Sequence, residues 1–227
     1  VAEHDPTPTD SHAAVDQELV RWSGIYAGED YYYGDEAGPV ARRAVRYHHF
    51  FPGARALDLG CGEGQDLAFL AERGYAATGV EFTPAGAEKA RRLLARRGLT
   101  GEVVEGDIRS FLAAEPPGGP YDLVLAANSL QFLGADAAWC LDRVAEFVAP
   151  GGVVGLSLFG REGSDPEVAG TIYFTTLEDL MARFRDWQML EAARLWQWNV
   201  AANVPQPFVT LVARKTPPVH PRLITLR

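Results

Sequence analysis

The sequence predicts an α/β fold, a seven-stranded and mostly parallel sheet with helices on both faces and a C-terminal antiparallel hairpin. Three observations lead there. Short apolar runs alternate with helix-length amphipathic segments from residue 55 to residue 159, the pattern of strand–helix–strand units with right-handed crossovers. Some runs, Tyr121–Ala127 above all, are nearly continuous in apolar character, as strands covered on both faces are. The last two runs, Gln188–Trp198 and Pro207–Arg214, have only a short connection between them, which suits an antiparallel pair and not a crossover.

In chain order, residues 1–20 carry Glu3, Asp5, Asp10, Asp16 and Glu18 without a Lys or Arg, and a disordered acidic tail is expected. Residues 21–50 are read as a lid and helix. Trp22, Tyr26, Tyr31, Tyr32 and Tyr33 crowd among Gly24, Gly28, Gly34 and Gly38, and Pro39 opens a helix to about His49. Phe51-Pro52-Gly53 breaks it. Strand Arg55–Leu59 precedes helix Gly64–Arg73, which Gly74 closes. Strand Ala76–Glu81 precedes helix Pro84–Arg97, started by Thr83 and Pro84 and ended by Gly98. Glu102–Glu105 and Tyr121–Ala127 are strands. Helix Ala135–Val148 stops at Pro150-Gly151-Gly152, before strand Val153–Phe159. Thr176 to Asp179 resembles a capping box opening a short helix to about Phe184. The hairpin follows, and residues 216–227 are a C-terminal tail.

The totals narrow the function. A chain of 227 residues, 47% hydrophobic, suits one globular domain, placed at residues 21–215. A net charge of −9 disfavours duplex nucleic acid and anionic membranes. Cys61 and Cys140 suggest free thiols in a reducing compartment. With no leader or membrane span in the sequence, a cytoplasmic protein is expected, as monomer or homodimer, with a small-molecule partner and no metal.

The chemistry centres on Leu57-Asp58-Leu59-Gly60-Cys61-Gly62-Glu63-Gly64, a buried strand running into a glycine turn and then a helix. Glycines let backbone approach a ligand closely, and a helix N-terminus favours negative charge or lone pairs. A dinucleotide fingerprint needs a third glycine where Gln65 stands, and a P-loop needs a Lys-Ser/Thr after Gly64. Glu81, closing the next strand, suits both hydroxyls of a ribose, in an adenosine of either S-adenosylmethionine or NAD. Phe82 is placed to stack on a flat base.

Asp58 to Gly64 resembles motif I, D-L-G-x-G-x-G, of the class I S-adenosylmethionine-dependent methyltransferases. Trp22 to Gly34, with Tyr173 to Leu180 and Val212 to Lys215, resembles the small bacterial tellurite-resistance (TehB-like) and thiopurine methyltransferase-like group. The likeness covers roughly residues 21–215. It implies a Rossmann-like fold with the seventh strand between the fifth and sixth. It also implies S-adenosylmethionine as cofactor, leaving as S-adenosylhomocysteine. Cofactor-binding residues would be Asp58, Gly60, Cys61, Gly62, Gly64, Glu81, Phe82, Asp107, Ile108 and Asn128, with Asp107 and Ile108 beside adenine and Asn128 beside the methyl group. Glu63 is a further candidate for the ammonium, and Arg42, Arg43 or Arg46 for the carboxylate.

The loop at Asn128 lacks the [ND]-P-P-[YF] pattern of enzymes acting on base or glutamine amino groups. The subgroup's acid and His near the last turn are also missing, because no His lies between His49 and His220. A soft sulfur, selenium or tellurium nucleophile, or an apolar acceptor, is therefore expected, with catalysis by proximity and desolvation. Catalytic candidates are Tyr33, Asn128 and His49. Tyr26, Tyr32, Tyr33, Trp196 and Trp198 are candidates for the acceptor pocket. Lys89, Arg91, Arg92, Arg96 and Arg97 read as an outer solvent face. The alternatives are a non-catalytic protein that binds the cofactor and an NAD-dependent oxidoreductase.

Overall fold

The computed structural model describes residues 9–161, 172–199 and 203–217. Its seven-stranded sheet has the order β3-β2-β1-β4-β5-β7-β6. The strands are β1 (Arg55–Leu59), β2 (Ala76–Glu81), β3 (Glu102–Glu105), β4 (Tyr121–Ala127), β5 (Val148–Phe159), β6 (Gln188–Asn199) and β7 (Val204–Arg214). All neighbours from β3 to β5 are parallel, while β7 runs antiparallel to both β5 and β6. The expected insertion of the last strand between β5 and β6 is what the chain adopts.

Helices α1 (Thr9–Tyr26), α2 (Pro39–Tyr47), α3 (Gln65–Glu72), α4 (Pro84–Arg96), α5 (Ile108–Ala113), α6 (Ala137–Phe147) and α7 (Leu177–Arg183) complete the chain. Two cores separate the layers. Ala41 and Ala44 of α2, Leu67 of α3 and Leu93 of α4 pack with Leu123 and Leu125 on one face. Leu112 of α5, Leu141 and Val144 of α6, and Leu180 of α7 pack with Leu57, Val124 and Leu156 on the other. Residues in β4 thus alternate between cores, which explains its continuous apolar run. Small residues bring α2 close: a Cβ on Gly155 would lie 3.0 Å from Ala44 Cβ and 2.9 Å from Leu125 Cδ2.

Local signals agree with the ends. Thr83 Oγ1 accepts from Gly86 N at 3.1 Å to cap α4, and Thr176 Oγ1 accepts from Asp179 N at 3.1 Å to cap α7. Two expectations need correction, and one helix is added. Residues 9–20 of the expected tail belong to α1, and residues 1–8 lie outside the described part, as do 218–227 of the C-terminal tail. Tertiary packing supports α1 where local pattern did not: Trp22 and Tyr26 are buried, and the Trp22 ring meets Phe132 at 5.1 Å. Helix α5, in a segment given no element from the sequence, is short and capped by Asp107. Strand β5 begins at Val148, not Val153, because Gly151 at φ 82° carries the backbone through the Pro-Gly-Gly stretch while Val148 pairs with Tyr121.

Candidate active site

The glycine turn joins β1 to α3. Gly60, Gly62 and Gly64 have φ of 75°, 53° and 90°, a region that side chains other than glycine rarely adopt. Their roles differ. A Cβ on Gly60 would lie 2.4 Å from Ser129 Cβ, and one on Gly64 would lie 2.7 Å from Ala90 Cα. These two let the turn pack against the loop after β4 and against α4, and Gly64 fronts neither of the cavities described below. Gly62 fronts the larger of these cavities, with the Tyr26 hydroxyl oxygen 2.9 Å from its notional Cβ. Cys61 is buried, and burial pushes its thiol well above the usual range. Its side chain packs beside Gly79, so only its backbone serves the turn.

Four acids surround the turn. Asp58 is buried, and desolvation first, then the charges of Asp66 and Glu81, raise its carboxyl well above the carboxylate range. Its Oδ2 has no hydrogen-bond partner among the described residues and belongs to the cavity wall. Asp66, also raised by burial, accepts from Gly38 N at 2.6 Å. Glu81 accepts from Gly62 N at 3.0 Å, Thr83 N at 2.9 Å and Thr83 Oγ1 at 2.5 Å. Burial raises its carboxyl while these bonds pull the other way.

Glu63 is a buried ion-pair partner. Its Oε1 lies 2.7 Å from Lys89 Nζ and its Oε2 accepts from Tyr32 N at 2.8 Å. Lys89 Nζ also donates to Asp30 O at 2.6 Å. Lys89 was assigned to a solvent face by its Arg neighbours, but it is 2% exposed, on the inner side of α4 with Ala90 and Leu93. The pair ties the glycine turn and α4 to the tyrosine-rich segment.

Two cavities open at the carboxyl ends of β1, β2 and β4 and share Trp22, Tyr26, Gly60, Asn128 and Phe132. The smaller, about 70 Å³, is lined by Glu81, Phe82, Asp107, Ile108 and Ser129 among others. Asp107 caps α5, accepting from Arg109 N and from the Arg109 guanidinium, both at 2.7 Å. The larger, about 320 Å³, takes in Asp58, Gly60, Cys61, Gly62 and Asn128 and then an aromatic wall of Tyr33, Phe132, Phe159, Trp198 and Phe208. The rings form a chain: Phe132–Phe159 at 5.7 Å and Phe159–Phe208 at 5.1 Å. Asn128 holds φ 58°, a conformation asparagine tolerates. It donates its backbone N–H to Ser157 O at 2.9 Å and accepts from Ser157 Oγ at 2.6 Å through Oδ1.

The other candidates divide. Tyr26 and Tyr33 line the larger cavity, whereas Tyr32 packs edge-on against Tyr33 at 4.8 Å and fronts neither. Burial, then neighbouring Tyr32, pushes the Tyr33 phenol up to about 12. Burial and then Glu81 push that of Tyr26 well up too, so neither is ionised near neutrality. His49 is misplaced as a catalytic candidate. It follows α2, while adjacent His48 bonds Tyr75 and sits near Asp122, at the amino ends of the strands, opposite the site. Trp196 is also outside. Alternation in β6 turns Leu195 and Gln197 toward the cavity and leaves Trp196 66% exposed, whereas Trp198 near the strand end reaches the rim. Of the three arginines, Arg43 fronts the cavity, and its guanidinium lies 3.7 Å from Glu191.

Sequence reasoning did not assign Phe132, Ser157, Phe159, Phe208 and Thr210 to the site. A signal existed for some. With β7 antiparallel to β5, Ser157 pairs with Thr210 and Phe159 with Phe208, so the start of β7 must share the end of β5.

Residues 56–152 match the methyltransferase domain family. The aklanonic acid methyltransferase DauC of Streptomyces sp. (strain C5) is 31% identical over 169 residues, covering 70% of this chain and 74% of that protein. A ribosomal RNA small subunit methyltransferase C of Alcanivorax borkumensis is 29% identical over 49% of this chain, which spans only 32% of that protein's length. Among solved structures, the 1,6-didemethyltoxoflavin-N1-methyltransferase of Burkholderia thailandensis, determined with bound 1,6-didemethyltoxoflavin and S-adenosylhomocysteine, superposes with a TM-score of 0.67 and 24% identity. The match covers 95% of this chain and 93% of that one. TehB of Haemophilus influenzae gives 0.67 at 19% identity, over 79% and 62%. At these identities the structural likeness is one of fold.

Proposed function

The chain belongs to the class I S-adenosylmethionine-dependent methyltransferases, and on that premise we propose that it methylates a small acceptor with an apolar, aromatic body. One observation carries the reading: a narrow and a wide cavity share a rim at Gly60 and Asn128, giving one ligand two compartments and the acceptor the rest of the wide one. Asp58 Oδ2, buried and unpartnered among the described residues, is where an ammonium group would be held. Glu81 would hold the ribose hydroxyls, and Phe82, Asp107 and Ile108 would enclose the adenine. When bound, the cofactor supplies a methyl group on a positively charged sulfur, already activated for displacement.

The chain's residues then have three tasks. Asp58 and Glu81 fix the two ends of the donor. Trp22, Tyr26 and Phe132 exclude water at the shared rim, and their faces attract positive charge. The aromatic wall aligns the acceptor for in-line attack. Tyr26 and Tyr33 stay protonated at neutral pH, so the acceptor brings its own nucleophile: a thiolate, selenolate, tellurite or ionised heteroaromatic centre. The acceptors named for two similar proteins, aklanonic acid and 1,6-didemethyltoxoflavin, support a small molecule. The net charge of −9 supports the same over nucleic acid. Two buried free thiols suit a reducing, cytoplasmic setting.

Calorimetry with S-adenosylhomocysteine tests the cofactor reading. Binding in the micromolar range is expected, and a folded sample without it would remove the proposal. Transfer of labelled methyl to thiol, selenium, tellurium and aromatic acceptors tests turnover. Cofactor binding with no transfer to any of them would favour a non-catalytic role.

A further inference from the structure

Gln131 stands out within the larger cavity. It follows the Asn128 loop at the end of β4, it is 0% exposed, and neither its Oε1 nor its Nε2 has a hydrogen-bond partner among the described residues. Its backbone is pinned, because its carbonyl accepts from Tyr173 N at 2.8 Å. Gln131 belongs to the lining of the larger cavity with Asn128, Ser157 and Thr210, and Phe132 and Phe159 line the same cavity. A buried amide with both ends unsatisfied is destabilising by roughly 1–3 kcal/mol for each group. An apolar residue of similar volume would remove that cost. Retaining the amide is useful if a ligand satisfies it.

A primary amide presents one acceptor and one donor side by side. Its full complement is a donor and an acceptor side by side on the ligand. The same cavity is lined by Phe132, Phe159 and Phe208, and aromatic faces favour a flat ligand. The structure assigns Gln131 as the residue that reads the acceptor, and the acceptor as a planar heteroaromatic molecule with adjacent N–H and C=O groups, as in a lactam or imide. This rests on the methyltransferase reading above and narrows its acceptor. Such rings also carry ionisable enol, thiol or ring-nitrogen centres, consistent with a site that lends no base.

The test uses the full chain loaded with S-adenosylhomocysteine and three probes of one shape: 2-quinolone, its N-methyl derivative and naphthalene. Calorimetry should show 2-quinolone binding at least about tenfold tighter than the other two, the worth of one good hydrogen bond pair. Gln131→Met should equalise the three probes, leave S-adenosylhomocysteine affinity unchanged, and raise the melting temperature of the free protein. Equal binding by the three probes, or no binding of 2-quinolone to loaded protein, would overturn the assignment. So would a preference that survives Gln131→Met. Failure of the folded protein to take up S-adenosylhomocysteine is a different result, which removes the cofactor reading itself.

Discussion

The two compartments of the site are built in different ways. Apart from the rim of Trp22, Tyr26, Gly60, Asn128 and Phe132 that both share, the narrow one draws mainly on the ends of β2 and β3, at Glu81 and Phe82 and at Asp107 to Arg109. Its polar groups are engaged: Glu81 accepts three hydrogen bonds and Asp107 is held by Arg109. Beyond that shared rim, the wide one gathers Tyr33, Phe159, Trp198 and Phe208 from across the chain. It is aromatic, and its most buried amide is unengaged. A preorganised end suits a ligand that is always the same, and an adaptable apolar end suits one that differs between relatives.

Substitutions should separate the two ends. The largest effect is expected at the buried pair beneath the turn. Lys89→Met strands the Glu63 carboxylate, whose side chain is 0% exposed, and should lower unfolding stability by about 3–5 kcal/mol. Glu63→Gln combined with Lys89→Met should recover much of it, as chemical denaturation would show. Gly62→Val forces a branched side chain to φ 53° against the Tyr26 hydroxyl. It should weaken S-adenosylhomocysteine binding by about a hundredfold or more while circular dichroism stays unchanged.

Asp58→Asn should cost about tenfold in cofactor affinity, the scale of one charged hydrogen bond, yet stabilise the free protein at neutral pH. The sign follows from the raised carboxyl of Asp58. A raised carboxyl adds stability below the ordinary carboxylate range, and that stability is lost as pH rises through the raised value. Asp66 and Glu81 are raised as well and act in the same window. Melting curves of both proteins across acid to neutral pH should therefore diverge upward in pH and converge in acid. The smallest effect is expected at the wide end. Trp198→Ala, at a residue 60% exposed, should raise acceptor KM by a few-fold with cofactor affinity unchanged. A comparable loss of cofactor affinity there would dissolve the division between the two ends.

Legibility in the sequence follows the same division. Motif I, Glu81 and Asp107 could be read because each sits where a strand stops and a helix starts, a junction marked by Gly, Pro or a capping residue. The strands between Arg55 and Ala127 were placed for the same reason. Phe132, Phe159 and Phe208 could not be read, since an aromatic residue on a strand looks alike whether it faces a core or a cavity. Trp196 and Trp198 were taken together by their spacing, but only one reaches the rim. Lys89 was hidden by arginines at 91, 92, 96 and 97, which made its helix look uniformly solvated. Helix α1 was missed because its support comes from Phe132, more than a hundred positions away.

The reversal of β7 has one more consequence. Six strands of the sheet run one way and β7 runs against them, so its opening residues meet the closing residues of β5 at Phe159 and Phe208. On this reading the described ends of β6 and β7 would act as an exchangeable nozzle on a fixed chassis. Recasting residues 195–199 and 203–208 should change the acceptor that is admitted while cofactor affinity at the turn Gly60–Gly64 stays unchanged, and a graft of these residues from a relative should carry acceptor preference with it.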